Sequence, residues 1–325
     1  MRLIYGLVFM TLFIPFAEIN AASSEIVTAN FTSSSIIIHN NADNGNVVPL
    51  RMISGPSTLL TNCNDIFIDS NTFYVSSHIG NRVSTYNLSD SGDINPLSVL
   101  SGGSTGIAMP VRVFVYESEV FVTNYAGTLK VFNIGDSGNI AFKRSLDTIN
   151  SPYAIFIHND EIFLSRHPDT GDPNQIYVFD VNASGLAAPK RTIVGPLTNL
   201  AFAGGIAISN DEIFVGNDFG NSITVYDLNA SGNVAPKRMI SGAATLMNGP
   251  LSLAVCSGEI FVANRHSDRI TVYNTTDSGN VAPKRVIEGG TTLLSGPMGI
   301  AVTCPAPPPP PPPVVGCFVN QVFGN

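Results

Sequence analysis

The sequence predicts an all-β chain, a six-bladed β-propeller of four-stranded antiparallel blades. Three observations carry this. A segment of four short β-like runs recurs six times, which is the mark of a blade array. No segment sustains a helical period. Glycine and proline, 29 and 22 residues, punctuate the chain between short apolar runs. Hydrophobic residues make up 44% of the 325 positions, enough for a packed core and too many for a disordered chain. The formal net charge of −8 argues against nucleic acid as a partner, since no cationic surplus exists to release counterions from phosphate.

Residues 1–21 read as a secretory signal. Arg2 gives the positive start, Leu3 to Phe16 the apolar stretch, and Ile19-Asn20-Ala21 the small-residue cleavage site. The apolar run is shorter than the ~20 residues a membrane helix needs. The expected chain is therefore exported, with no integral membrane segment after processing, and is secreted, periplasmic or at the cell surface.

The propeller is expected over residues 22–304. Its apolar anchors are Ile26, Phe73, Val120, Ile162, Ile213 and Ile260, at intervals of 47, 47, 42, 51 and 47 residues. The four strands of each unit are called A to D from the axis outward. Strand A is the short apolar run before each anchor: 65–68, 112–115, 154–157, 205–208, 252–255 and 299–302. Such a run suits a strand buried on both faces. Strand B is the run typified by Glu259 to Asn264. Strand C ends on Tyr86, Phe132, Phe179, Tyr226 or Tyr273, with His39 in that place in the first unit.

Each C–D connection carries a glycine after a small or polar residue, as in Asn44-Gly45 and Ser278-Gly279, because a tight hairpin needs positive φ. Strand D is expected to start at Pro49, Pro96, Pro189, Pro236 and Pro283. Proline lacks the ladder donor and belongs on an edge. The basic residues that follow, Arg51, Arg144, Arg191, Arg238 and Arg285 with their lysines, read as edge protection rather than as a binding rim.

The phase of the repeat predicts ring closure. The first unit opens on strand B at Glu25, and the last leaves a spare strand A, Gly299 to Val302. That C-terminal inner strand should pair in the first blade. Beyond it, residues 305–313 hold seven consecutive prolines, a polyproline II spacer. Residues 314–325 form a short tail that reads as a frayed terminus, or as a sorting signal if the proline tract is a stalk.

The repeat resembles the NHL and YVTN-type families of β-propeller repeats. Their pattern, P-x-G-I-A-V, then I-Y-V-A/T-N, then I-x-V-Y/F, reads here as Pro297 to Val302, Ile260 to Asn264 and Ile270 to Tyr273. The resemblance covers the mature domain and implies the fold. It does not choose among the activities such folds carry, which include binding scaffolds, cell-surface proteins, lactonases and lyases.

A lactonase-like, gluconolactonase-type hydrolase or lyase is the enzymatic alternative. It would need a divalent cation held by several oxygen ligands at the axis. The axial positions read Asp65, Arg112, Ala154, Gly205, Ser252 and Gly299. One acid beside one arginine is a pair, not a cage, so no metal and no cofactor is expected. His78, His167 and His266 fall in B–C loops of alternate blades and read as separate, solvated histidines. The insertion from His167 to Asn174 reads as a turn-rich loop, with a surface Ca²⁺ site through Asp169, Asp172 and Asn174 as the alternative.

Strand B ends in Asn30, Asn124, Asn217 and Asn264, with Arg166 in the fourth unit. These side chains either cap the B–C corner or form a polar mouth on the top face. With Asp65 and Arg112 they are the candidate binding residues. The D–A loops on that face carry Leu59-Leu60, Leu197 to Phe202, Leu246-Met247 and Leu293-Leu294, which either pack down or form a contact surface. Cysteines in an exported chain can pair. Cys256 with Cys304 is the favoured pairing, since both end inner strands of neighbouring units. The function expected is a monomeric, non-catalytic binding module that engages a protein or a glycan.

Overall fold

The computed structural model describes residues 24–167 and 174–304. The expected signal segment, the proline tract and the expected tail lie outside the described residues. Six four-stranded antiparallel sheets surround a central axis, and each is one blade. In the first blade, Pro297–Val302 pairs with Glu25–Asn30, in the register Ile26 to Val302 and Thr28 to Ile300. Both ends of the described chain thus share one sheet.

Inner strands are longer than the sequence suggested. They run Cys63–Asp69, Pro110–Tyr116, Pro152–His158, Ala203–Ser209, Pro250–Cys256 and Pro297–Val302. Each carries an irregularity near its start, for example between Cys63 and Asp65. A hydroxyl satisfies the backbone there. Ser76 Oγ accepts from the Asp65 amide at 3.0 Å and donates to the Val111 carbonyl of the next blade at 2.9 Å. Thr123 and Ser165 repeat the device one and two blades on.

The outer strands correct the proline expectation. They begin at Arg51, Ser98, Arg144, Arg191, Arg238 and Arg285, two residues beyond each proline where a proline is present. The proline, which has no amide hydrogen to donate, sits in the approach to the outer strand rather than at its first position. The arginines are not free edge charges either. Each meets a glutamate at the start of strand B, as Arg238 meets Glu212 at 2.5 Å and Arg285 meets Glu259 at 2.7 Å.

Blade packing is apolar and continuous. Phe73, Phe121, Phe132, Phe163, Phe179 and Phe214 are among the largest fully buried side chains. The tyrosines that end strand C have a further task. Tyr86, Tyr226 and Tyr273 donate to the carbonyls of Thr58, Thr198 and Thr245. Those threonines sit in one-turn 3-10 helices at the D–A corners, so the tyrosine ties a corner loop to the blade it enters. His39 takes this place in the first blade and is fully buried.

Candidate functional site

The axis is narrowest where the inner strands begin. A Cβ on Gly299 would stand 2.6 Å from the Asp65 Cα, and one on Gly205 would stand 2.9 Å from the Leu251 carbonyl oxygen. Only glycine admits such a close approach. Arg112 enters this constriction from the third blade. Its Nη1 donates to Asp65 Oδ1 at 2.9 Å and to the Met298 carbonyl at 3.0 Å. Its Nη2 donates to the carbonyls of Gly204 and Leu251, both at 2.7 Å. The guanidinium carbon lies 5.6 Å from the centre of the Tyr153 ring. One side chain therefore touches all six blades.

Asp65 also accepts from the Val113 amide at 3.1 Å. Burial raises its carboxyl above the usual carboxylate range, and Arg112 pulls it back. Below this pair the axis widens into a cavity of about 220 Å³ lined by Phe67, Phe114, Phe156 and the aliphatic residues of the inner strands. Above it, Val111, Tyr153, Phe202 and Leu251 form a small apolar cluster that roofs the ion pair. Arg112 and Asp65, at 4% and 8% exposure, form a buried plug that also lines this cavity.

The four asparagines are placed beneath the mouth rather than in it. Asn30, Asn124, Asn217 and Asn264 are fully buried. The side-chain oxygens of Asn124, Asn217 and Asn264 accept the amides of Ala108, Ala201 and Asn248, and that of Asn30 accepts the amide of Ser295. Each holds a D–A loop against the B–C corner. Arg166, the equivalent in the fourth blade, is half-buried at the end of its strand.

The residue after the last position of each strand B, Ser77 holding that position in the second blade, lines the mouth. In blade order they are Phe31, His78, Tyr125, His167, Asp218 and Arg265. Ring centres follow one another from Phe31 to His78 at 6.1 Å, to Tyr125 at 6.1 Å and to His167 at 4.9 Å. The arc continues from His167 to Phe202 at 5.1 Å and to Phe219 at 5.1 Å. Phe219 is 64% exposed. The remaining sector is an ion pair: Arg265 donates to Asp218 at 2.9 and 2.6 Å.

His78 and His167 are therefore not the solvated loop residues expected from sequence. They are half-buried and flank the Tyr125 ring. Burial lowers the His78 imidazole, which lies with Nδ1 3.3 Å from the Pro110 carbonyl. His266 stays largely exposed. Of the insertion, residues 168–173 lie outside the described residues, and Asn174 accepts the Phe202 amide at 2.9 Å. Among the described residues, no group of three or more His, Cys, Asp or Glu is placed to hold a metal.

The D–A leucines divide between two roles. Leu60, Leu200, Met247 and Leu294 are buried, whereas Leu59, Leu197, Leu246 and Leu293 stand exposed around the same face. Cys256 and Cys304 are joined as a disulfide, with Cα atoms 5.7 Å apart, and Cys63 is a buried free thiol. No helix among the described residues is long and apolar enough to cross a membrane.

Sequence reasoning missed the ring arc. The signal was one position away, at the first loop residue after strand B, but that position changes chemistry in nearly every blade.

Comparison with known proteins supports the fold. No family model matches the chain, and no curated protein matches it. Among solved structures, a chain of the nidogen/laminin complex aligns with a TM-score of 0.64 and 9% identity, covering 86% of this chain and 98% of that one. A functionally unknown protein from Desulfotomaculum acetoxidans DSM 771 aligns with a TM-score of 0.54 and 13% identity, covering 83% of each chain. Identities this low speak for the shared fold alone.

Proposed function

We propose that the chain is an exported, monomeric, non-catalytic binding module, of the NHL/YVTN-type propeller group, that engages a protein or a glycan on its top face. Under this reading residues 1–21 direct export, residues 22–304 bind, and residues 305–313 space the propeller from the tail at 314–325. The observation that carries it is the arc of rings from Phe31 to Phe219 at the mouth. Rings offer large, rigid, amphipathic contact area to a partner side chain or a sugar face. The exposed leucines of four D–A corners widen the same face. One fold neighbour comes from a complex between two proteins, which agrees with a binding role.

The asparagines serve this face by setting its loops, Arg166 stands at the same repeat position in the fourth blade, and Arg112 with Asp65 serves the face by fixing the axis. A lactonase-like reading has less support, because a guanidinium already occupies the axial point where a catalytic cation would sit. The test is binding of the full chain to arrays of glycans and of extracellular proteins, with Tyr125→Ala and Phe219→Ala alongside. Binding lost in both variants at unchanged melting temperature is the expected result. Binding retained in both would remove the mouth as the site, and turnover of a lactone would remove the non-catalytic reading.

A further inference from the structure

Five blades close their outer edge with one latch. Arg51, Arg144, Arg191, Arg238 and Arg285 pair with Glu25, Glu119, Glu161, Glu212 and Glu259 of their own blades. In four of these the guanidinium also donates to a carbonyl of the next blade, at Leu88, Val181, Leu228 or Thr275. In four it lies over the ring of Phe121, Phe163, Phe214 or Phe261, at 5.4 to 5.8 Å. The molecule has thus built the same guanidinium seat repeatedly from its own residues.

The second blade lacks both the guanidinium and the glutamate that holds it. By register, Thr72 stands where the glutamate is elsewhere, Ser98 where the arginine is, and Tyr74 where the phenylalanine is. A cleft of about 320 Å³ opens there between the second and third blades. The Ile134 carbonyl on its far wall corresponds to the four carbonyls that accept the latch elsewhere, since Leu88, Ile134, Val181, Leu228 and Thr275 occupy one repeat position. Two carboxylates, Asp69 and Asp136, line the cleft, and no Lys or Arg does. Asp69 has no acidic counterpart at the same position in the other blades, which carry Tyr116, His158, Ser209, Cys256 and Thr303. Asp69, Thr72, Tyr74, Ser98 and Ile134 line this gap; Thr72 Oγ1 donates to the Asp69 carbonyl and Ser98 Oγ is hydrogen-bonded to Thr85 Oγ1, and the gap lies at the position the latch cation fills in the other blades.

We propose that this cleft is a docking slot for an arginine side chain of a partner polypeptide, which supplies in trans the guanidinium that the other blades supply themselves. The site lies on the outer edge and is separate from the mouth. Charge complementarity favours this occupant, because the slot is acidic and the chain carries a net charge of −8.

The probe is Ac-Gly-Arg-Gly-NH2, titrated into the full-length protein and followed by amide chemical shifts. Saturable shifts at Tyr74, Ser98, Ile134 and Asp136 are expected. Asp69→Asn should weaken the peptide about tenfold. The double variant Thr72→Glu, Ser98→Arg should rebuild the internal latch, abolish binding and raise the melting temperature. Equal saturation by Ac-Gly-Lys-Gly-NH2 would reduce the slot to unspecific cation attraction and overturn the proposal. So would an absence of saturation, or peptide binding unchanged in Asp69→Asn.

Discussion

Arg112 and Asp65 form a buried ion pair, 2.9 Å apart, at the point where the six blades converge. The arginine answers a problem that a propeller axis creates. Inner strands begin there, and the Nη atoms of Arg112 collect the carbonyls of Asn64, Gly204, Leu251 and Met298 together with the carboxylate. Arg112→Met should therefore cost about 3–5 kcal/mol, because it leaves the Asp65 carboxylate buried without its countercharge and the carbonyls without their donor. Arg112→Met combined with Asp65→Asn should recover part of that loss. Urea unfolding of the three proteins measures both. A single-variant loss under about 1 kcal/mol would show that the plug is not stabilising.

The outer latches make the ring sensitive to acid. Hydrogen bonds from Arg238 and Arg285, more than Coulombic attraction, depress Glu212 and Glu259 from 4.5 to about 2. A depressed carboxyl contributes stability that is present above its unfolded pKa and lost as pH falls through the folded one. The melting temperature should accordingly decline between pH 4.5 and about 2. Glu212→Gln should lower stability by about 1 kcal/mol at pH 7 and flatten that decline. A decline of unchanged steepness in Glu212→Gln would assign the acid sensitivity to other groups.

His39 also costs stability on acidification, but through burial and at a higher pH. Its ring is buried with neither nitrogen hydrogen-bonded, and burial lowers its pKa below 6.5. An imidazole that resists protonation when folded but not when unfolded destabilises the fold as pH drops below about 6.5. His39→Tyr places there the side chain that the second, fifth and sixth blades use to reach a corner threonine carbonyl. The substitution should add about 1 kcal/mol at pH 7 and more at pH 5. Equal melting curves for both proteins at pH 5 would contradict this.

Much of the architecture was legible because the repeat reports on it six times. Turn glycines, the aromatic that ends strand C and the orphan inner strand at 299–302 each mark a backbone requirement that every blade shares. What stayed hidden depends on single residues. Arg112 occupies a position filled elsewhere by Ala154, Gly205 or Ser252, so nothing in the pattern shows that it spans the axis. The mouth rings share a position but not a residue type, and their neighbours, the regular asparagines, gave the stronger signal while serving the loops. Strand D begins two residues after the prolines expected to open it, since sequence marks the loss of a donor but not where the ladder resumes.

The disulfide bears on the one seam where the ring is closed by noncovalent strand pairing. Cys256 ends the inner strand of the sixth blade, and Cys304 follows the closing strand of the first. The bond joins residues 48 apart in sequence. Loop-closure entropy for that separation is worth about 4 kcal/mol. It also anchors Pro297–Val302, whose pairing with Glu25–Asn30 closes the ring. Cys304→Ser should therefore act locally before it acts globally. Amides of the closing pair, Ile26, Thr28, Ile300 and Val302, should exchange with solvent faster, while those of the third and fourth blades, such as Phe121 and Phe163, keep their protection. Uniform acceleration across all six blades would mean that the ring opens as a single cooperative unit and that the seam is no weaker than the rest.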